Sequence, residues 1–246
     1  MRIRPVLIAS VASLGLLAAS CSSGGSSSTS SAGSSAASTL ITKSQTAVQT
    51  AGSVHFVDVT KIGSKSESLI GDIGPSSAQE VLSVSGSEVL SVVLVSNTIY
   101  IKTSSASVLQ SALTLSATTA AASVNKWISI SSTDKAYSSI AQSLTVNAAL
   151  SIYYPKSSAA SILPSKTVAG VTVTPVTGSS TPSTKTKTTV QTTVYLNQKT
   201  SLPVTASLVA KSGSTTETKQ AVFTKWGDPI TVTAPADSVT YASLAG

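Results

Sequence analysis

The chain has 246 residues, 10% of them charged and 4% aromatic, and its surface must therefore be largely neutral and hydroxyl-rich, as suits an exported protein. The net charge of +7 is spread thinly. Only Lys185 and Lys187 fall close together after the first residues, with no aromatic side chain between them, so a nucleic-acid interface is excluded. A single cysteine, Cys21, rules out a disulfide framework, and a single histidine, His55, limits any metal site to one imidazole.

The chain opens with Arg2 and Arg4, an apolar run from Val6 to Ala19, small residues, and then Cys21. This is the layout of a bacterial secretion signal rather than of a membrane span. Leu17-Ala18-Ala19-Ser20 before the cysteine resembles the lipobox of bacterial lipoproteins. That resemblance implies cleavage after residue 20. Cys21 then carries a diacylglycerol thioether and an N-acyl chain such as palmitate. Two or three acyl chains hold a protein firmly, since each buried methylene contributes about 0.8 kcal/mol. The expected location is the outer face of the cell membrane. No other cofactor is expected.

Residues 21–37 combine the lipidated cysteine with a Ser/Gly-rich tether. A single α+β domain is expected over 38–246. It starts with a helix over Ser38–Ala51, capped by Ser38 or Thr39 and closed by Gly52. β-rich runs follow at 54–59, 67–73, 79–85 and 88–95. Ser96-Asn97 then turns the last of these into Thr98–Ile101, a hairpin. A helix is predicted over 107–122, a short strand over 126–130, a helix from Thr133 or Asp134 through Ala141, and another from Thr145 to Tyr154. One further helical turn is expected over 159–163. Strands return at 168–176, 188–196, 202–209, 220–226 and 230–233, with a Ser/Pro-rich loop over 178–184. Strands grouped on either side of a helical block argue for α+β with a large antiparallel sheet over helices.

Catalysis has little to stand on. Ser123-Val124-Asn125-Lys126 and Ser132-Thr133-Asp134-Lys135 match a bare S-x-x-K pattern, which chance supplies in a chain this rich in serine. No G-x-S-x-G elbow occurs, and the nine acidic residues are scattered along the sequence. The chain is read as a non-enzyme, with no metal site.

The order of several short segments resembles a known family. A helix leads into Ser53-Val54-His55-Phe56-Val57. The hairpin ends in Thr98-Ile99-Tyr100-Ile101, and Lys126-Trp127 follows the central helix. Val194-Tyr195-Leu196 turns into Leu202-Pro203-Val204, and Phe223-Thr224-Lys225-Trp226-Gly227-Asp228 closes the pattern. Together these resemble the actinobacterial envelope lipoproteins of the LppX/LprAFG type, whose fold is similar to that of the LolA/LolB carriers. The resemblance implies a strongly curved antiparallel half-barrel sheet around helices, with a cavity for acyl chains. The implied partners are the membrane through the anchor, an acylated lipid or lipoglycan ligand, and a membrane transporter. Candidate lining residues are Ile99, Ile101, Val190, Val194, Leu196, Val204 and Leu208 on strands, with Leu109, Leu113 and Leu115 on the central helix. The same side chains could instead fill a dry core, which would leave a lipid-anchored scaffold without a ligand cavity.

Overall fold

The computed structural model describes residues 30–183 and 188–245. The expected signal, Cys21 and the Lys185–Lys187 pair lie outside the described residues. The first helix, α1, spans Ser30–Ala51. It therefore begins within the stretch expected to be tether, ahead of Ser38. Ala37, Ile41, Ser44 and Val48 recur at helical spacing and are buried, so the apolar stripe starts before the expected boundary.

Five strands follow as a meander: β1 (Val54–Ile62), β2 (Lys65–Ile73), β3 (Ser77–Val84), β4 (Ser87–Val95) and β5 (Thr98–Thr103). The Ser96-Asn97 turn forms as predicted, with φ of 50° and 61°, the left-handed pair that a two-residue hairpin requires. The expected helix over 107–122 is two helices, α2 (Ala106–Leu113) and α3 (Ala117–Ala122). Thr114 adopts φ 56° and ends the first, and the Ser116 side chain accepts from the Thr119 amide to start the second.

Strand β6 (Trp127–Ser131) is followed by α4 (Tyr137–Ser143) and α5 (Val146–Ser151). Asp134 does not cap α4. Its carboxylate accepts from the Ser131 amide at 2.7 Å, and Ala136 occupies the cap position. Thr145 caps α5 as expected, accepting from the Ala148 amide at 3.2 Å. Residues 159–163 are not helical beyond a single 3-10 turn at Ser157–Ala159. Ala160–Ile162 forms a short strand, β7, against the later sheet.

Strands β8 (Lys166–Val168) and β9 (Val171–Ser183) make a hairpin, and β9 runs through the segment expected to be a Ser/Pro-rich loop. Gly178 explains part of that difference. A Cβ there would sit 2.8 Å from Pro155 Cβ, so glycine lets the segment after α5 lie directly on the strand. Strands β10 (Thr188–Asn197), β11 (Pro203–Ser212) and β12 (Thr215–Thr224) complete the antiparallel set. Residues 230–233 are not a strand. The chain there is irregular, and a three-residue strand β13 (Ser238–Thr240) and helix α6 (Tyr241–Leu244) end the described chain.

The thirteen strands among the described residues belong to one unclosed sheet, ordered β13-β6-β5-β4-β3-β2-β1-β12-β11-β10-β9-β7, with β8 also pairing β9. The fold is thus α+β, an open curved sheet packed over helices. Two meanders, β1–β6 and β9–β12, meet at the β1–β12 pairing, which runs from His55 opposite Thr224 to Ile62 opposite Glu217. Both outer strands of the path, β7 and β13, are three residues long, which limits the unpaired edge offered to another chain.

Period-two alternation fixes which side chains face the helices. On β1, Val54, Phe56, Asp58 and Thr60 are buried and alternate with more exposed neighbours. Gly71 on β2 pairs with Phe56, and a Cβ at Gly71 would collide with the Phe56 ring. The inner face of the sheet joins α1, α2, α3 and α5 in one buried cluster that includes Ile41, Val48, Ile99, Leu109, Leu150 and Val194.

Candidate functional site: an apolar cavity with an acidic wall

The helices cover the sheet unevenly. Helix α1 packs against β7, β9 and α5, and α2 and α4 pack against β5. Between α2 and α4 on one side and β1–β5 with β12 on the other lies a cavity of about 290 Å³. Leu69, Leu82, Leu90, Val92 and Ile101 form its sheet wall. Val108, Ala112, Ile140 and Leu144 form the helical wall. The wall follows from pairing: Leu69 stands opposite Leu82, and Val92 opposite Ile101. Ser111 and Ser139, also lining residues, are exposed and mark the opening between α2 and α4.

The lining is not wholly apolar. Asp58, Thr60, Glu67, Glu80 and Lys219 also face it. Each occupies an inward position of its strand, in phase with apolar neighbours. Asp58 follows Val54 and Phe56, and Glu80 lies between Ala78 and Leu82. Asp58 is only 8% exposed. Its Oδ2 accepts from the Tyr153 hydroxyl at 2.5 Å, while its buried Oδ1 has no hydrogen-bond partner among the described residues. Burial pushes the Asp58 carboxyl above its ordinary range, outweighing the Tyr153 hydrogen bond and the Lys219 charge that act the other way. Burial, with the negative charge of Asp58, also pushes the Tyr153 hydroxyl up. Glu80 is half-buried, and loss of water pushes its carboxyl up to about 7. The one amine on the wall, Lys219, donates to Thr60 Oγ1 at 3.0 Å and lies 3.8 Å from Glu217 Oε1.

Sequence order gave no hint of this acidic grouping. Three carboxyls scattered along the first third of the chain share one cavity because β1, β2 and β3 are adjacent strands. The readable trace was charge at core-phase positions within otherwise apolar alternation. No cluster of His, Cys, Asp or Glu that could hold a metal ion occurs among the described residues. His55 points away from any such role and pairs with Asp72 across β1 and β2, Nδ1 to Oδ1 at 2.8 Å.

Of the candidate lining residues, Ile101 borders this cavity. Ile99, Leu109, Leu113 and Leu115 are buried in the surrounding core. Val194 and Leu196 are buried in the other half of the sheet, and Val190 and Leu208 are half-buried there. Val204 is half-buried as well. A register shift at Tyr195/Leu196 sets Pro203 opposite Leu196, and Pro203 takes the buried position instead. Trp226 is anchored in this half, its Nε1 donating to the Pro203 carbonyl at 2.9 Å and its ring 6.1 Å from that of Phe223.

Among the described residues, no helix is long and apolar enough to cross a membrane. No family model and no curated protein sequence matches the chain. Solved structures do. Lipoprotein LppX of Mycobacterium tuberculosis has 18% identity, covers 81% of this chain and 99% of its own, and gives a TM-score of 0.49. LprF from Mycobacterium bovis has 14% identity, covers 83% of this chain and 99% of its own, and gives a TM-score of 0.48. An outer membrane lipoprotein-sorting protein domain from Vibrio parahaemolyticus, 6% identical, covers 78% of this chain and 92% of its own, with a TM-score of 0.30. The chain is similar to lipoproteins of the LppX and LprF type, the same lipoproteins that its order of sequence segments resembles.

Proposed function

We propose that this protein is a lipid-anchored envelope protein that binds the acyl part of a lipid in the cavity between the sheet and helices α2 and α4. The observation that carries this reading is the hollow itself: about 290 Å³ walled mainly by Leu, Val and Ile under an open curved sheet. Acyl chains need only such a surface, because burying apolar area contributes about 25 cal/mol per Å² without any directed contact. The volume lies at the lower edge of ligand pockets, roughly 300–1,000 Å³. It suits one acyl segment rather than several chains. Cys21 and the signal before it supply the anchor in this reading, so the cavity would work at the outer membrane surface.

The test is direct. Mature protein purified from its native membrane is extracted with organic solvent, and the extract is analysed by mass spectrometry. A stoichiometric acylated lipid beyond the Cys21 anchor is the expected result. Ala112→Trp, which fills the cavity from α2, should abolish that lipid while the protein stays folded. A wild-type protein free of co-purifying lipid, and unable to take up added lipid, would leave the tethered scaffold as the better account.

A further inference from the structure

Hydrogen-bonding capacity around the cavity is lopsided. Asp58, Glu67 and Glu80 all face it, and Asp58 Oδ1 is buried without a partner. Neither Glu67 nor Glu80 has a hydrogen bond or ion pair to another described residue. The serines of the helical wall add to the same side. Ser111 donates to its own helix at the Ser107 carbonyl, Ser139 to Ala136 and Ser143 to Ile140, so each has its proton committed and its lone pairs free. Donors are scarce. Lys219 donates to Thr60 and is paired in charge with Glu217, so its remaining ammonium protons stand alone against three carboxyls, and Tyr153 is spent on Asp58 Oδ2.

A buried acceptor without a donor is costly, and an anion beside three carboxyls more so. Resting on the reading of this cavity as an acyl site, we propose that Asp58, Glu67 and Glu80 select an amphiphile whose head donates hydrogen bonds and bears no negative charge, with the unpartnered Glu67 and Glu80 carboxyls as the acceptors the head meets. A hydroxyl or an ammonium group satisfies this requirement, and a free carboxylate or phosphate does not. Burial displaces the Asp58 and Glu80 carboxyls upward, and for Asp58 it does so against the charge of Lys219, the single cation on this wall. A hydroxyl suits both protonation states of Glu80, since it can donate to the carboxylate or accept from the acid.

Three probes with the same tail separate the possibilities: 1-monododecanoylglycerol, dodecylamine and dodecanoate. Each is titrated into delipidated mature protein by calorimetry at about pH 8, where the amine and the carboxylate are charged, and below micelle-forming concentrations. The glyceride or the amine should bind at least about tenfold more tightly than dodecanoate. The better of the two identifies hydroxyl or ammonium as the head. Asp58→Asn keeps an oxygen for Tyr153 and removes one negative charge from the wall, so it should narrow the preference. Glu80→Gln, at a half-buried position, should narrow it even where Asp58→Asn fails to fold. Equal binding of all three probes, or an unchanged preference in both variants, would overturn the selectivity while leaving the acyl site intact. Failure of every probe to bind would overturn the acyl site itself.

Discussion

The two halves of the sheet are built from similar alternating strands, yet one is filled and the other hollow. Over β9–β12, helix α1 and the turn after α5 lie on the concave face, and Gly178 removes the side chain that would hold them off. Val176, Val194, Leu196 and Ala206 are buried there almost completely. Over β1–β5, α2 and α4 meet the sheet only near β5, and Leu69, Leu82 and Leu90 remain half-buried around open space. The boundary is the Asp58–Tyr153 hydrogen bond, with Tyr153 edge-on to Phe223 at 6.1 Å on the filled side. The same strand pattern therefore makes a core or a container according to how many helical side chains are set against it.

Matched truncations should expose this difference most strongly. Leu196→Ala, in the filled half, should cost about 3 kcal/mol, because transfer and cavity terms both apply. Leu82→Ala, beside space that already exists, should cost only about 1 kcal/mol. Urea denaturation of the two variants measures the gap, and equal losses would mean that both halves are packed alike. A comparable effect lies in pH. Burial lifts the Glu80 carboxyl from 4.5 to about 7, so between those values the folded protein binds more protons than the unfolded chain. Stability should be greatest below about pH 4.5 as far as this group is concerned, and should fall by about 3 kcal/mol as the pH rises to 7. Glu80→Gln should flatten that part of the profile in melts taken across the range. The least effect is expected from Thr145→Ala, which removes the cap of α5 in the filled half and should cost about 1 kcal/mol. Urea denaturation of this variant measures that loss.

Much of this architecture could be read from residue order. Alternation marked β1–β5 and β10–β12, and the Ser96-Asn97 turn and the Thr145 cap were legible because short-range geometry decides them. The errors came where local and distant demands diverge. Residues 107–122 carry no Gly or Pro, yet Thr114 breaks the helix so that Leu115 and Ala120 can also reach the core. Gly178 and Pro182 read as a loop, but pairing with β10 draws the segment into the sheet. The site was less visible than the fold. An apolar lining could be expected in general, but its position depends on where α1 ends and α2 begins across the concave face. Asp58 and Glu80 were ordinary charges until strand phase turned them inward.

The junction between β1 and β12 has a consequence for how the chain matures. Its partners, Phe56 and Phe223 among them, stand at nearly opposite ends of the folded segment. Local hairpins form early, whereas closing so long a loop is slow and entropically costly. During folding the first meander must wait, with its inward carboxyls and leucines wet, until β12 is in place. The container is therefore assembled last, and any factor that shields nascent sheet edges would act in that interval.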